Sequence, residues 1–192
     1  MNDKNLLLLK SVLRWLWGVM IVIALFFYIV YPNSFTATSI QSFLGDNATV
    51  ILVFYIVASS IRALFLLPST IFVLLGVALY PEEPFFVLLI SLIGIQIGAT
   101  LMYYSSSFLT PVALLGKGVN KIAVVERKME KYGFWIVLFW SFFPAVPTDL
   151  ICFVAGSTKY SYWKFFFAVL IGELILVSVY VYTGSELMGL IF

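Results

Sequence analysis

Ten of the eleven Lys and Arg residues in this chain sit in three groups separated by long apolar runs. They are Lys4, Lys10 and Arg14; Lys117, Lys121, Arg127, Lys128 and Lys131; and Lys159 and Lys164. Basic residues beside apolar spans mark the cytoplasmic side of a membrane, and all three groups can lie there together. The connections 32–47, 80–84 and 183–192 hold Asp46, Glu82, Glu83 and Glu186 and no basic residue, so they read as outside. With 63% apolar and 10% charged residues, the chain has the composition of a protein solvated by lipid.

This asymmetry constrains how each apolar block meets the bilayer. One crossing takes ~20 apolar residues. The first runs from Leu13 to Tyr31; it has no small-residue cleavage site behind it and reads as a retained helix rather than a signal peptide. The block Ala48 to Tyr80 is too long to cross once and too short to cross twice with a turn, and both its ends must be outside. It predicts a re-entrant hairpin with Arg62 to Pro68 near its tip. Phe85 to Ser105 then crosses inward. In the segment 112–131, Ile122, Val125 and Met129 recur at helical spacing between charges, which predicts an amphipathic helix on the cytoplasmic interface.

The second half repeats the plan upside down. The block 134–157 lies between Lys131 and Lys159, so it must enter and leave from the cytoplasm. Pro144 and Pro147 at its centre break the helix and turn it. Phe165 to Tyr182 crosses outward, and 186–192 is a short outside tail. The expected fold is therefore an all-α membrane protein, with spanning helices plus two opposed re-entrant helical hairpins arranged as an inverted repeat. Residues 1–47 form an N-terminal helix and outside loop, and 48–185 form one membrane domain. Gly76 after Pro68 and Gly156 after Pro147 mark the paired hairpins; Gly94 and Gly98, then Gly172, mark the helices that follow. Broken apolar segments at matching positions point to a transporter site at the midplane, because backbone freed at a break must line a cavity or be buried. The plainer reading is that these prolines only shape hairpins in a structural protein.

Three ionisable residues lie at membrane depth: Arg62, Asp149 and Glu173. Each costs ~2.5–3.5 kcal/mol at the centre of a span and should be paired or hydrated. Hairpins entering from opposite faces can bring Arg62 and Asp149 together. Glu173, about two turns into the last span, is a candidate proton site or a third member of that network. Free amides after Pro68 and Pro147 attract anions, so a headgroup phosphate held by Arg62 and the backbone near Ser69 is a sensible pairing. Each residue also has a structural alternative: Asp149 as a helix cap, Arg62 snorkelling or meeting a lipid phosphate, Glu173 bonding a neighbouring backbone. Cys152 reads as a small buried hydrophobe.

Several classes are excluded by absence. A chain without histidine supports no Ser-His hydrolase, HExxH metalloenzyme or His-ligated haem. One aspartate in apolar sequence does not make a two-aspartate protease. Nothing implies a metal or other cofactor, an enzymatic reaction or nucleic-acid binding.

The run from Arg62 to Ser185 resembles the VTT-domain branch of the DedA superfamily. The carriers are RALFLLPSTIFVLLGVALY at Arg62–Tyr80, the helix with Gly94 and Gly98, KYGFWIVLFWSFFPAVPTDLICFVAGS at Lys131–Ser157, and Gly172 with Gly184-Ser185. The most specific part is the spacing of Pro144, Pro147 and Asp149 followed by Gly156. The family pattern places an arginine three residues before the first of these prolines, where this chain has Ser141, and often another before the cytoplasmic loop, where it has Ser105 to Ser107. The resemblance implies opposed hairpins and the movement of phospholipid or polyprenyl-phosphate lipids across the bilayer. It is read here as a transporter or scramblase of the bacterial plasma membrane, proton-coupled, with the N-terminus cytoplasmic and the C-terminus outside. Arg62, Pro68 and Ser69 would meet the headgroup, and Asp149 and Glu173 would gate or couple protons. Its partners are membrane lipids, and a homo-oligomer is allowed. The alternatives are a non-transporting membrane scaffold or assembly factor, and an ion or small-solute carrier.

Overall fold

A computed structural model describes residues 47–106, 119–143 and 147–191, together with Val19, Val22, Phe26, Val30 and Ser42. The expected span from Leu13 to Tyr31 lies outside the described residues except at Val19, Val22, Phe26 and Val30, which are helical and exposed. Pro144 also lies outside them. Among the described residues six α-helices follow Asn47: α1 (Ala48–Ile61), α2 (Ser69–Leu79), α3 (Pro84–Ser105), α4 (Val119–Phe142), α5 (Thr148–Ser157) and α6 (Tyr162–Ile191). No strand occurs among the described residues.

Helix boundaries follow local chemistry. The Asn47 side chain accepts hydrogen bonds from the Thr49 and Val50 amides at 3.1 and 3.3 Å, capping α1. At its far end α1 tightens into a 3₁₀ turn, Arg62–Phe65, and stops where Leu66 turns left-handed at φ 55°. The Leu66 and Leu67 amides bond back to the Ala63 and Arg62 carbonyls, so the orphan acceptors of the helix end are satisfied. Pro68, with no N–H to give, then opens α2. The same closure recurs after α5: Lys159 is left-handed, and the Lys159 and Tyr160 amides return to Gly156 and Ala155. Pro84 stands in the first turn of α3, where a missing N–H costs nothing.

Among the described residues three helices are long and apolar enough to cross a membrane: Ala48–Phe65, Pro84–Ser105 and Tyr162–Gly184. The first of these was expected only as the entering arm of a hairpin. At 11 and 10 residues, α2 and α5 reach ~16 and ~15 Å, about half of a hydrocarbon core. Two expected boundaries differ. From Val119 on, the expected interfacial segment and the second hairpin's first arm form one uninterrupted helix, α4, because Gly133 alone does not break a helix and its face packs on the Tyr160 ring. Likewise α6 continues past Tyr182 to Ile191, since no proline or capping signal stops it.

The centre of the assembly is α3, whose spanning window is 61% buried, against 33% for the first span and 44% for the last. In lipid there is little hydrophobic drive between helices, and close contact of small residues holds them instead. Gly98 allows this on α1: a methyl group there would lie 2.8 Å from the Ser60 carbonyl. One core unites α3, α4, α5 and the start of α6 around Met102, Val137, Cys152 and Phe165. A second joins α2, the first half of α3 and the second half of α6 around Val73, Val87 and Val181.

Candidate functional site

The two proline breaks meet in the interior. Arg62, in the turn after α1, donates from its guanidinium to the Asp149 carboxylate at 3.0 Å and to the Leu67 carbonyl at 2.8 Å. Both side chains are almost wholly buried, at 2% and 4% exposure, which makes this a pair inside protein and not a surface ion pair. The expectation that Arg62 and Asp149 meet holds. Asp149 is not the cap of α5: Pro147 occupies that place, and no side chain caps there. Arg62 does not snorkel to an interface either.

Glu173 joins the cluster through the residue that follows Pro147. Thr148, the first residue of α5, donates from its hydroxyl to one Glu173 carboxylate oxygen at 2.6 Å. Glu173 is fully buried and is bonded through a side chain, not a neighbouring backbone. Thr148 and Asp149, adjacent in sequence, therefore tie the start of α5 to α6 on one side and to the turn after α1 on the other.

Close approach of backbones makes the cluster possible. At Gly172 a methyl group would lie 2.7 Å from the Leu138 carbonyl and 2.8 Å from Ser141 Cβ, so α6 runs directly against the last turn of α4. At Gly156 it would overlap the Tyr103 carbonyl and the Ser106 hydroxyl, so α5 lies equally close on the end of α3. Ser141 itself is fully buried.

Three buried polar atoms have no hydrogen-bond partner among the described protein groups: Arg62 Nε, Ser141 Oγ and Glu173 Oε2. Leaving a buried polar atom unsatisfied costs roughly 1–3 kcal/mol, and most native interiors avoid it. Two of the three, Arg62 Nε and Glu173 Oε2, belong to the charged cluster itself.

The remaining expected residues are more peripheral. Pro68 is exposed and Ser69 half-buried at the start of α2. Gly76 lies mid-helix on the Tyr55 ring, whose hydroxyl bonds Ser91 Oγ at 2.7 Å and donates to the Phe72 carbonyl at 3.0 Å. Sequence reading also passed over Gln96, which donates to the Phe166 carbonyl at 2.8 Å, and Thr100, which meets the Tyr162 hydroxyl at 3.1 Å. A polar residue inside an apolar span was the available signal. Beside this seam a groove of about 580 Å³ runs between α3 and α6, walled by Leu92, Ile93, Phe166 and Leu170.

Long apolar helices around a buried charged centre define a multi-pass helical membrane protein. The chain's membership within that class is specific: a family model described as the VTT domain matches residues 67–186, and the chain belongs to that family, within the DedA superfamily. Asp149, Thr148, Ser141 and Glu173 fall inside the matched region, and Arg62 stands just before it. No curated protein and no solved structure matches the chain.

Proposed function

We propose that this protein is a non-enzymatic lipid carrier, a transporter or scramblase that moves phospholipid or polyprenyl-phosphate-type lipid across the bacterial plasma membrane. The observation that carries the reading is the buried Arg62–Asp149 pair joining two helix breaks, with Arg62 Nε left without a partner among the described residues. A guanidinium held to its carboxylate through one nitrogen can exchange that carboxylate for a headgroup phosphate, which the free Nε lets it grip as a fork. Pro68 and the Ser69 amide, at the start of α2, stand at the mouth of that exchange. Asp149 is then the gate that reclaims Arg62, and Glu173, linked through Thr148, couples the exchange to protons.

Lengths along the helices support opposed re-entrant hairpins in an inverted repeat. Counting ~1.5 Å per residue, Ser69 lies ~16 Å from the outer acidic turn along α2, Thr148 lies ~14 Å from Ser157 along α5, and Glu173 lies ~14 Å from Lys164 along α6. All three rulers end near the middle of a ~30 Å core. The arm Ala48–Phe65 is longer than its return, which requires it to tilt or to extend past the outer interface. The α3–α6 groove has the size and apolar walls to hold an acyl chain, and its Leu170 end is one turn from Glu173.

The test is transbilayer movement of headgroup-labelled phospholipid and polyprenyl phosphate in proteoliposomes, with and without a pH gradient. Arg62→Lys keeps the charge and loses the fork; Asp149→Asn keeps the acceptor and loses the gate's charge. Each should fold and slow movement about tenfold or more. A correctly folded wild type that moves neither lipid sinks the reading and leaves the scaffold or solute-carrier alternatives.

A further inference from the structure

We infer that the groove between α3 and α6 is a binding site for an uncharged lipid alcohol, a diacylglycerol, which lays one acyl chain along the groove and its hydroxyl-bearing head against Gln96 and Tyr162. The volume, about 580 Å³, is that of an ordinary ligand pocket. Leu92, Ile93, Phe166 and Leu170 make the walls apolar, and among the described residues no charged side chain lines them. Arg62, Asp149 and Glu173 take no part in the lining, so this site is separate from the buried charged cluster and does not depend on lipid movement.

The polar atoms identify the occupant. Gln96 is only 8% exposed, and its Nε2 donates to the Phe166 carbonyl at 2.8 Å. That leaves its second N–H and its Oε1 without a partner among the described groups. Oε1 is not sealed in: among the described residues the buried side-chain atoms that lack partners are Arg62 Nε, Ser141 Oγ and Glu173 Oε2, so the Gln96 oxygen opens on the groove that Gln96 lines. Thr100 donates its one hydroxyl hydrogen to the Gln96 carbonyl at 2.8 Å, and the hydrogen between Thr100 and Tyr162, 3.1 Å apart, must then come from Tyr162. The Tyr162 hydroxyl is left with acceptor capacity only. Two neutral acceptors and one neutral donor therefore face the ligand. A phosphate would bring charge and oxygens to a place with one N–H and no cation. A glyceride head, with a hydroxyl to donate and ester carbonyls to accept, matches the set.

Depth selects in the same direction. Counting ~1.5 Å per residue from Ser105, the end of α3 read as cytoplasmic, Thr100 lies ~8 Å and Gln96 ~14 Å along the helix, well inside a ~30 Å hydrocarbon core. A charged headgroup resists burial at that depth, whereas an uncharged one with its hydrogen bonds met does not. Ile93 and Ile97, also in the lining, are 49% and 42% exposed, so the groove opens sideways to the bilayer in which diacylglycerol is dissolved, and the second acyl chain stays in lipid.

The experiment photolabels the full chain in nanodiscs with a diacylglycerol that carries a diazirine in one acyl chain, and maps the modified peptides by mass spectrometry. Label should fall on α3 and α6 along the groove. Unlabelled dioleoylglycerol should compete about tenfold better than dioleoyl phosphatidic acid, which adds a charge, or the methyl ether of the same glyceride, which lacks the donor. Tyr162→Phe removes one acceptor, keeps the ring and leaves Thr100 bonded to the Gln96 carbonyl, and it should weaken competition by dioleoylglycerol about fivefold. Ile93→Trp, at an exposed position, fills the groove and should abolish the label, whereas Val179→Trp, also exposed but outside the groove, should leave it unchanged. Equal competition by all three lipids would make the groove a crevice without head selectivity and overturn the inference, as would label that persists in Ile93→Trp. Unchanged selectivity in Tyr162→Phe would make that hydroxyl a clamp between helices and overturn it too. A protein that moves no lipid yet shows this selectivity keeps the groove site and loses the transport reading alone.

Discussion

Removing either partner of the Arg62–Asp149 pair should have unequal consequences. In an isolated buried ion pair, loss of one member strands the other and costs ~3–5 kcal/mol whichever is removed. Here the pair shares its interior with Glu173. Arg62→Met fills similar volume with an apolar chain but leaves two buried carboxylates and no cation, so the full ~3–5 kcal/mol applies. Asp149→Asn keeps an oxygen at the 3.0 Å position that Arg62 already uses, and the Arg62 charge remains opposed by Glu173. Its cost is the difference between a charge-assisted and an ordinary hydrogen bond, ~1 kcal/mol. Chemical unfolding of both variants in mixed micelles at neutral pH should thus separate them by ~2–4 kcal/mol, with the arginine variant the weaker. Equal losses, or a larger loss for Asp149→Asn, would refute the idea that the cluster holds one surplus negative charge.

Two other consequences follow from packing and topology. Gly156→Val should cost ~1–3 kcal/mol or more in the same assay, because the added carbons overlap the Tyr103 carbonyl, which is backbone and cannot rotate away. In a Cys152→Ala background, which empties little of a site that is wholly buried, single cysteines at Glu83 and Asn120 should label from opposite sides of sealed vesicles; labelling of both from one side would overturn the hairpin topology.

Much of the chain's plan was legible because membranes impose coarse and strong rules. Basic residues at one face, apolar runs and prolines marked the breaks near Arg62–Pro68 and at Pro147, and α3 was expected to within a residue of its observed start. Charge was legible for the same reason: Arg62, Asp149 and Glu173 stand out against lipid-facing sequence, and opposed breaks implied that two of them meet. Less visible was what depends on neighbours. The uninterrupted α4 escaped because charge periodicity and apolar periodicity change at Lys131 without any backbone signal. The bond from Thr148 to Glu173 depends on Gly172 and Gly156, which let neighbouring helices come within backbone contact.

By itself, then, the sequence determined a helical membrane protein, its breaks and its costly charges, since each of these is set by local composition against a ~30 Å apolar slab. Tertiary structure alone decided how the charges are satisfied: Arg62 goes to Asp149, Thr148 goes to Glu173, and among the described residues Ser141 Oγ and Glu173 Oε2 are left over. That assignment depends on ångström distances between residues far apart in the chain, and no local pattern encodes it.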